Sequence, residues 1–228
     1  MTVRTFGPSE CSSLPTAKPV DYQPRCRVDY TNYEDVPLAI NLSDDAILLL
    51  EDVAEHPFVE LTDRYDRLLN RYRGNKAKNE LVEEEYVEEH RVEIQPVKRM
   101  LLEPTEKGRI YFASEDIAMA VRGRGSIVHT FWQHRIKETF EPKAAFTKVE
   151  RLDADVYVEI SGLRLAIEVA RSNRKREIEH VEKHLDNDFD GVVVACQNEH
   201  VRQALKRRLA ENELLTDDVQ LRLLRFFA

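Results

Sequence analysis

Apolar positions in the first half of the chain recur at helical spacing and then begin to alternate. Ser43 can cap a helix, Asp44 and Asp45 suit its first turn, and Ile47, Leu48, Leu50 and Val53 give it an apolar face. His56-Pro57 ends it, because the residue before a proline resists the helical conformation. The spacing predicts a second helix over about 61–69, with Leu61, Tyr65, Leu68 and Leu69 inward. A polar turn, Asn70-Arg71-Tyr72-Arg73-Gly74, leads to a third helix over about 75–84, with Ala77, Leu81 and Val82 inward. Two extended stretches, 90–94 and 98–102, flank Gln95-Pro96-Val97, and Thr105-Glu106-Lys107-Gly108 opens a fourth helix reaching to about Ala120.

The second half reads differently. Ile127, Val128, Phe131, Trp132, Ile136 and Phe140 predict a helix, and strands follow over 146–152, 156–160 and 163–169, the last two joined at Ser161-Gly162. A charged helix over about 173–185 precedes Gly191-Val192-Val193-Val194-Ala195-Cys196, an unbroken apolar run typical of a strand buried on both faces. A helix over 199–211 and a strand over 219–227 close the chain. This order predicts a mixed sheet flanked by helices. The boundaries fall at residues 1–37, an extended arm holding five of the nine prolines; 38–121; a linker at 122–125, Arg122-Gly123-Arg124-Gly125; and 126–228.

Composition narrows the class. With 228 residues, 42% hydrophobic and 33% charged, the chain has room for two modest domains or one large one and is not of disordered type. It has no apolar run long enough to span a membrane and no apolar leader at its start, so no membrane partner is expected. Three cysteines, Cys11, Cys26 and Cys196, are too few and too scattered for a disulfide framework or a zinc cluster, and they suit a reducing cytoplasm. The absence of a glycine-rich phosphate loop argues that the chain is not itself an ATPase. A net charge of −8 opposes nucleic-acid binding unless the basic residues cluster.

They do cluster. Arg71, Arg73, Lys76 and Lys78 fall within eight residues at the start of the third helix, Asn75 and Asn79 lie one turn apart, and Lys98 and Arg99 lie on the second extended stretch. Asparagines at that spacing can read an adenine edge while the cations meet phosphate. Three helices followed by a β-hairpin is the order of a winged helix-turn-helix, whose recognition helix enters the major groove of double-stranded DNA. Residues 69–89, with Gly74-Asn75-Lys76-Ala77-Lys78-Asn79-Glu80-Leu81-Val82, and the ending Leu102-Glu103-Pro104-Thr105-Glu106-Lys107-Gly108 resemble winged-helix modules of archaeal and bacterial mobile-element and conjugation-ATPase proteins. A structural or protein-binding winged helix with ordinary surface lysines fits the same residues.

The second constellation is acidic. Asp155 opens one strand and Glu168 lies in the next, within Leu165-Ala166-Ile167-Glu168-Val169, where a carboxylate needs a cation or a hydrogen-bond donor. A turn at Ser161-Gly162 brings the two acids to one end of the sheet, with Glu150 and Asp153 nearby. A pair of this kind can hold Mg²⁺ with positions left for water and phosphate. From Gly125 onward the chain resembles the restriction-endonuclease-like, PD-(D/E)xK nucleases, through Gly125-Ser126-Ile127-Val128-His129 and Ile167-Glu168-Val169. The resemblance implies metal binding by Asp155 and Glu168, and a homodimer where both strands are cut. One departure is plain: the lysine two residues after the second acid is Ala170 here. Lys175 is the replacement expected to complete the catalytic set with Asp155 and Glu168; Arg171 and Arg174 also follow, but arginine stays protonated and is a poor base. An active Mg²⁺-dependent endonuclease and an inactive DNA-binding regulator, or accessory module of a DNA-translocating ATPase, both remain open.

Two histidine sets complete the reading. His180 and His184 are spaced to chelate zinc, but no third ligand is evident and Glu177, Glu179 and Glu182 suggest a solvated face. His129 either faces the acid pair, as the resemblance implies, or is simply a partly buried histidine.

Overall fold

The computed structural model describes residues 41–94, 97–120, 123–172, 175–187 and 189–227. The expected arm at 1–37, the turn residues Gln95 and Pro96, Arg122 of the linker, and Asn173 and Arg174 lie outside the described residues. The chain divides into two units, Met1–Pro37 and Leu38–Ala228. The second is a mixed α/β structure with two sheets.

Its first lobe contains α1 (Asp44–Glu55), α2 (Leu61–Leu68), α3 (Arg71–Glu83), β1 (Val87–Ile94), β2 (Val97–Pro104) and α4 (Glu106–Ser114). Ser43 caps α1 through its side chain, as expected, and both its backbone N–H and its hydroxyl donate to the Glu80 carboxylate at 2.6 Å, tying α1 to α3. The third helix starts four residues earlier than its apolar spacing suggests. Asn70 is its N-cap and accepts from the Arg73 N–H at 3.0 Å, so the expected turn is the first helical turn. Gly74 is tolerated inside the helix because a Cβ there would lie 2.3 Å from the Tyr65 ring; α2 and α3 meet at that point. Thr105 caps α4, which stops at Ser114 rather than near Ala120.

The second lobe contains α5 (Ile127–Phe140), β3 (Phe146–Arg151), β4 (Ala154–Ile160), β5 (Leu163–Ala170), α6 (Lys175–Asp186), β6 (Gly191–Cys196), α7 (Glu199–Glu211), β7 (Val219–Leu223) and a closing 3₁₀ turn (Leu224–Phe227). Its five strands lie in the order β3-β4-β5-β6-β7. β3, β4 and β5 pair antiparallel, and β6 and β7 join parallel. The change of direction follows from the connections: short hairpins link the first three strands, whereas α6 and α7 carry the chain back for the last two. The last strand ends at Leu223, short of the predicted 227.

Each sheet face has its own cover. Val156, Val158, Ile167 and Val169 pack on α5 through Ile127, Phe131 and Ile136, and Tyr157, Ala166, Ala170, Val192 and Val194 pack on α6 and α7. The first of these cores also takes Val92 and Leu101 from the β1–β2 hairpin, so the lobes on either side of the 122–125 linker share one core. Phe58 reinforces the junction by stacking on His134, with ring centroids 4.3 Å apart. Among the described residues no helix is long and apolar enough to cross a membrane.

Candidate functional site

The ladder between β4 and β5 runs from Ile160↔Leu163 to Val156↔Ile167, which leaves Asp155 and Glu168 facing each other just past its end. There the side chains take over from the ladder. Asp155 Oδ2 accepts from the Val169 N–H at 2.7 Å, and Glu168 Oε1 accepts from the Asp155 N–H at 3.3 Å. The carboxylates thus cross-tie the two strands, and each turns its other contacts to a different helix.

Asp155 turns to α5. His129 Nε2 and the Gln133 amide nitrogen both reach its Oδ1 at 3.0 Å. His129 and Gln133 are one helical turn apart, and the turn begins at Ser126, whose hydroxyl accepts from the His129 N–H at 3.3 Å. Glu168 is only 5% exposed and turns to α6. His184 Nε2 lies 2.7 Å from its Oε1 and His180 Nδ1 lies 2.9 Å from its Oε2. Arg176 Nε donates to His180 Nε2, so Nδ1 carries the proton that Glu168 accepts. His184 is 1% exposed and its Nδ1 has no partner, which assigns its proton to the nitrogen facing Glu168.

Charge in this cluster is shared across the sheet. Burial pushes Asp155 up, but His129, the Val169 N–H and Gln133 outweigh it and hold the carboxyl below the usual range. Burial pulls His129 down, while its bond to Asp155 and the charges of Asp155 and Glu168 raise it overall. His180 is raised chiefly by its bond to Glu168, against its own burial, with Asp155 adding to the effect. Each carboxylate therefore acts on the histidine bound to the other.

Asp155 and Glu168 are the side chains here that could hold a hard cation. Asp155 Oδ1 and Glu168 Oε1 each meet two donors, while Asp155 Oδ2 and Glu168 Oε2 each meet one and keep a lone pair. Among the described residues no three His, Cys, Asp or Glu side chains are grouped to hold a metal. His180 and His184 both turn to Glu168.

Two expected features lie elsewhere. Lys175 Nζ sits 3.1 Å from Glu179 on an 83% exposed side chain and bonds neither acid. Ala170 is fully buried in the core under α6, so a lysine at that position would displace apolar packing. Next to His129 stands Arg171, with Nη1 donating to Ser126 Oγ at 2.9 Å. Burial lowers its guanidinium from the ordinary value, and its charge opposes protonation of His129. Of the neighbouring acids, Asp153 pairs with Lys183 at 2.8 Å. Glu150, held at φ +52°, accepts from the Arg124 N–H and fixes the linker. Gly123 lies close to the same carboxylate, 2.9 Å from where its Cβ would be.

The basic constellation on α3 and β2 is partly neutralised. Arg73 is paired with Asp45, Lys78 with Glu89 at 2.9 Å, and Arg99 with the buried Glu60. Asn75 accepts from the Tyr65 hydroxyl at 3.2 Å but stays exposed. Among the described residues, Arg71, Lys76 and Lys98 make no ion pair and are exposed, as is Asn79. Tyr72, unremarked in the sequence, is 79% exposed. At helical spacing Arg71, Tyr72, Asn75, Lys76 and Asn79 share one face of α3.

Sequence reasoning missed Gln133 and misplaced the α6 histidines on a solvated face. The signal was present: His184 stands three residues after the buried Val181 and so shares its inward side. No protein family, curated protein or solved structure matches the chain.

Proposed function

We propose that this is a DNA-binding protein in which residues 38–121 act as a winged helix and residues 126–228, with the five-stranded sheet, form a restriction-endonuclease-like domain that hydrolyses phosphodiester bonds. The supporting observation is the meeting of Asp155 and Glu168 just past the end of the β4–β5 ladder, 3.3 Å apart through backbone nitrogen and carboxylate oxygen. On this reading Asp155 and Glu168 would hold Mg²⁺, for which one or two carboxylates suffice when substrate supplies further oxygens. The ion supplies Lewis-acid polarisation of the phosphodiester. The protein's own part is positional: α5 fixes Asp155 through His129 and Gln133, and α6 fixes Glu168 through His180 and His184. The exposed face of α3 meets double-stranded DNA, Arg71 and Lys76 on phosphate and Asn75 and Asn79 on base edges. Cutting both strands requires two copies of the centre, hence a homodimer on DNA.

A second reading is favoured by the pairing of Lys175 with Glu179 and of Lys183 with Asp153 and by the burial of Ala170: among the described residues no lysine makes a hydrogen bond to Asp155 or Glu168. Under it the chain binds DNA without cutting, as a regulator or as an accessory of a DNA-translocating ATPase. One experiment separates the two: a labelled duplex is bound, bound fraction is read by anisotropy, and Mg²⁺ or Mn²⁺ is then added. Binding followed by cutting supports the nuclease. Binding without cutting under either ion supports the second reading, and no binding defeats both.

A further inference from the structure

We propose that Arg171 is the phosphate-binding cation of this centre, supplying from the end of β5 the positive charge that no lysine brings to the acids. The inference rests on the reading of the sheet as a phosphodiester-binding domain and names the group that meets the phosphate. Lys175 is committed to Glu179 in solvent, and the place two residues beyond Glu168 is filled by the buried Ala170. Lys183, the other lysine near the acids, is committed to Asp153.

Arg171 differs from these in each respect. It follows Ala170 directly, at the end of the strand that carries Glu168 and the Val169 N–H bound to Asp155. Ser126 Oγ holds its Nη1 at 2.9 Å, which anchors the guanidinium beside the first turn of α5 and next to His129. Among the described residues the guanidinium meets no carboxylate and makes that one hydrogen bond, leaving most of its five N–H groups to a ligand. A cation next to His129 that pairs with neither acid of the cluster is set apart from its internal charge balance. Its planar fork suits a phosphodiester, which presents two unesterified oxygens to a bidentate partner. A permanently charged group at this point offsets phosphate charge without taking or giving a proton, so this role is binding and orientation, not base catalysis.

The test compares affinities for a duplex of fixed sequence, in EDTA so that cutting does not intervene. Arg171→Ala is expected to weaken binding about tenfold, the loss of one charged hydrogen-bonding group. It also lowers the slope of log affinity against log salt by about one. Ser126→Ala, which removes the tether and leaves the charge, weakens binding less, and Lys175→Ala leaves it unchanged. Wild-type affinity in Arg171→Ala, or the same loss in Lys175→Ala, overturns the proposal. If the wild-type protein binds no duplex, the DNA-binding reading falls by itself. The Arg171 Nε–H NMR signal is then followed against dimethyl phosphate: a saturable shift upholds phosphate binding by Arg171, and an unmoved signal overturns it.

Discussion

The α3 face and the β4–β5 strand end are the two charged regions of this molecule, and they are built in opposite ways. On α3 and β2 the charged residues lie close together in sequence, are mostly exposed, and are partly cancelled by partners from α1, β1 and the loop before α2: Asp45, Glu89 and Glu60 take Arg73, Lys78 and Arg99. At the strand end the groups come from α5, β4, β5 and α6, are largely buried, and leave no carboxylate oxygen without a donor. The difference is one of cost. An exposed cation gains little from a neighbour and loses little without one, so sequence clustering says little about which charges remain free. A carboxylate in the interior must be paired, so its position in an apolar strand compels partners to exist somewhere in the chain.

If that contrast holds, Glu168→Ala should be the most damaging change. It leaves two histidines and the Asp155 N–H facing a void, and urea denaturation should show a loss of about 3–5 kcal/mol. Glu168→Gln keeps the shape and one acceptor and should lose clearly less; equal losses would mean that pairing is not what matters there. Gly74→Ala probes the packing beneath the α3 face. The added methyl meets the Tyr65 ring at 2.3 Å, so a loss of about 1–3 kcal/mol in thermal or urea unfolding is expected. A neutral or stabilising result would show that α2 and α3 are not in close contact. Lys78→Ala removes an ion pair with Glu89 and should cost only about 0.2–1 kcal/mol, shrinking further at high salt.

The gentlest perturbation is pH. His129 and His180 are both raised above 6.5, so their stabilising contribution is complete below that value and fades as pH rises through the raised ones. Asp155 is lowered, so its contribution is complete above the ordinary carboxyl value of 3.8 and fades as pH falls through the lowered one. Stability of the metal-free protein should therefore decline gradually above neutrality, and the imidazole NMR signals of both histidines should titrate above 6.5. Signals titrating below that value would break the proposed charge sharing.

Much of the element order was legible because apolar spacing reports local geometry directly, as in α1, α5 and β6. The start of α3 was not, because Arg71, Tyr72 and Arg73 carry no inward apolar residue; the Asn70 cap and the ring over Gly74 decide it. The acid pair was legible from Glu168 alone, an acid among Ala166, Ile167 and Val169. Of its partners only His129 was legible, as one of two readings, while Gln133 and His184 were not. His129 and His184 lie 26 and 16 residues from the acids they bind, and only the fold brings them near. Lys175 was chosen for nearness in sequence, yet the start of α6 turns it outward to Glu179.

The central claim is a division of labour, with α3 holding DNA and the Asp155–Glu168 centre cutting it. Single-turnover cleavage of a labelled duplex, measured across protein concentrations with Mg²⁺ or Mn²⁺, tests it most directly. Arg71→Ala combined with Lys76→Ala should weaken the half-saturating concentration about tenfold or more and leave the rate at saturation near wild type. Glu168→Gln should bind as wild type and not cut. A Glu168→Gln protein that cuts at the wild-type rate, or a wild-type protein that binds and never cuts, would contradict the account.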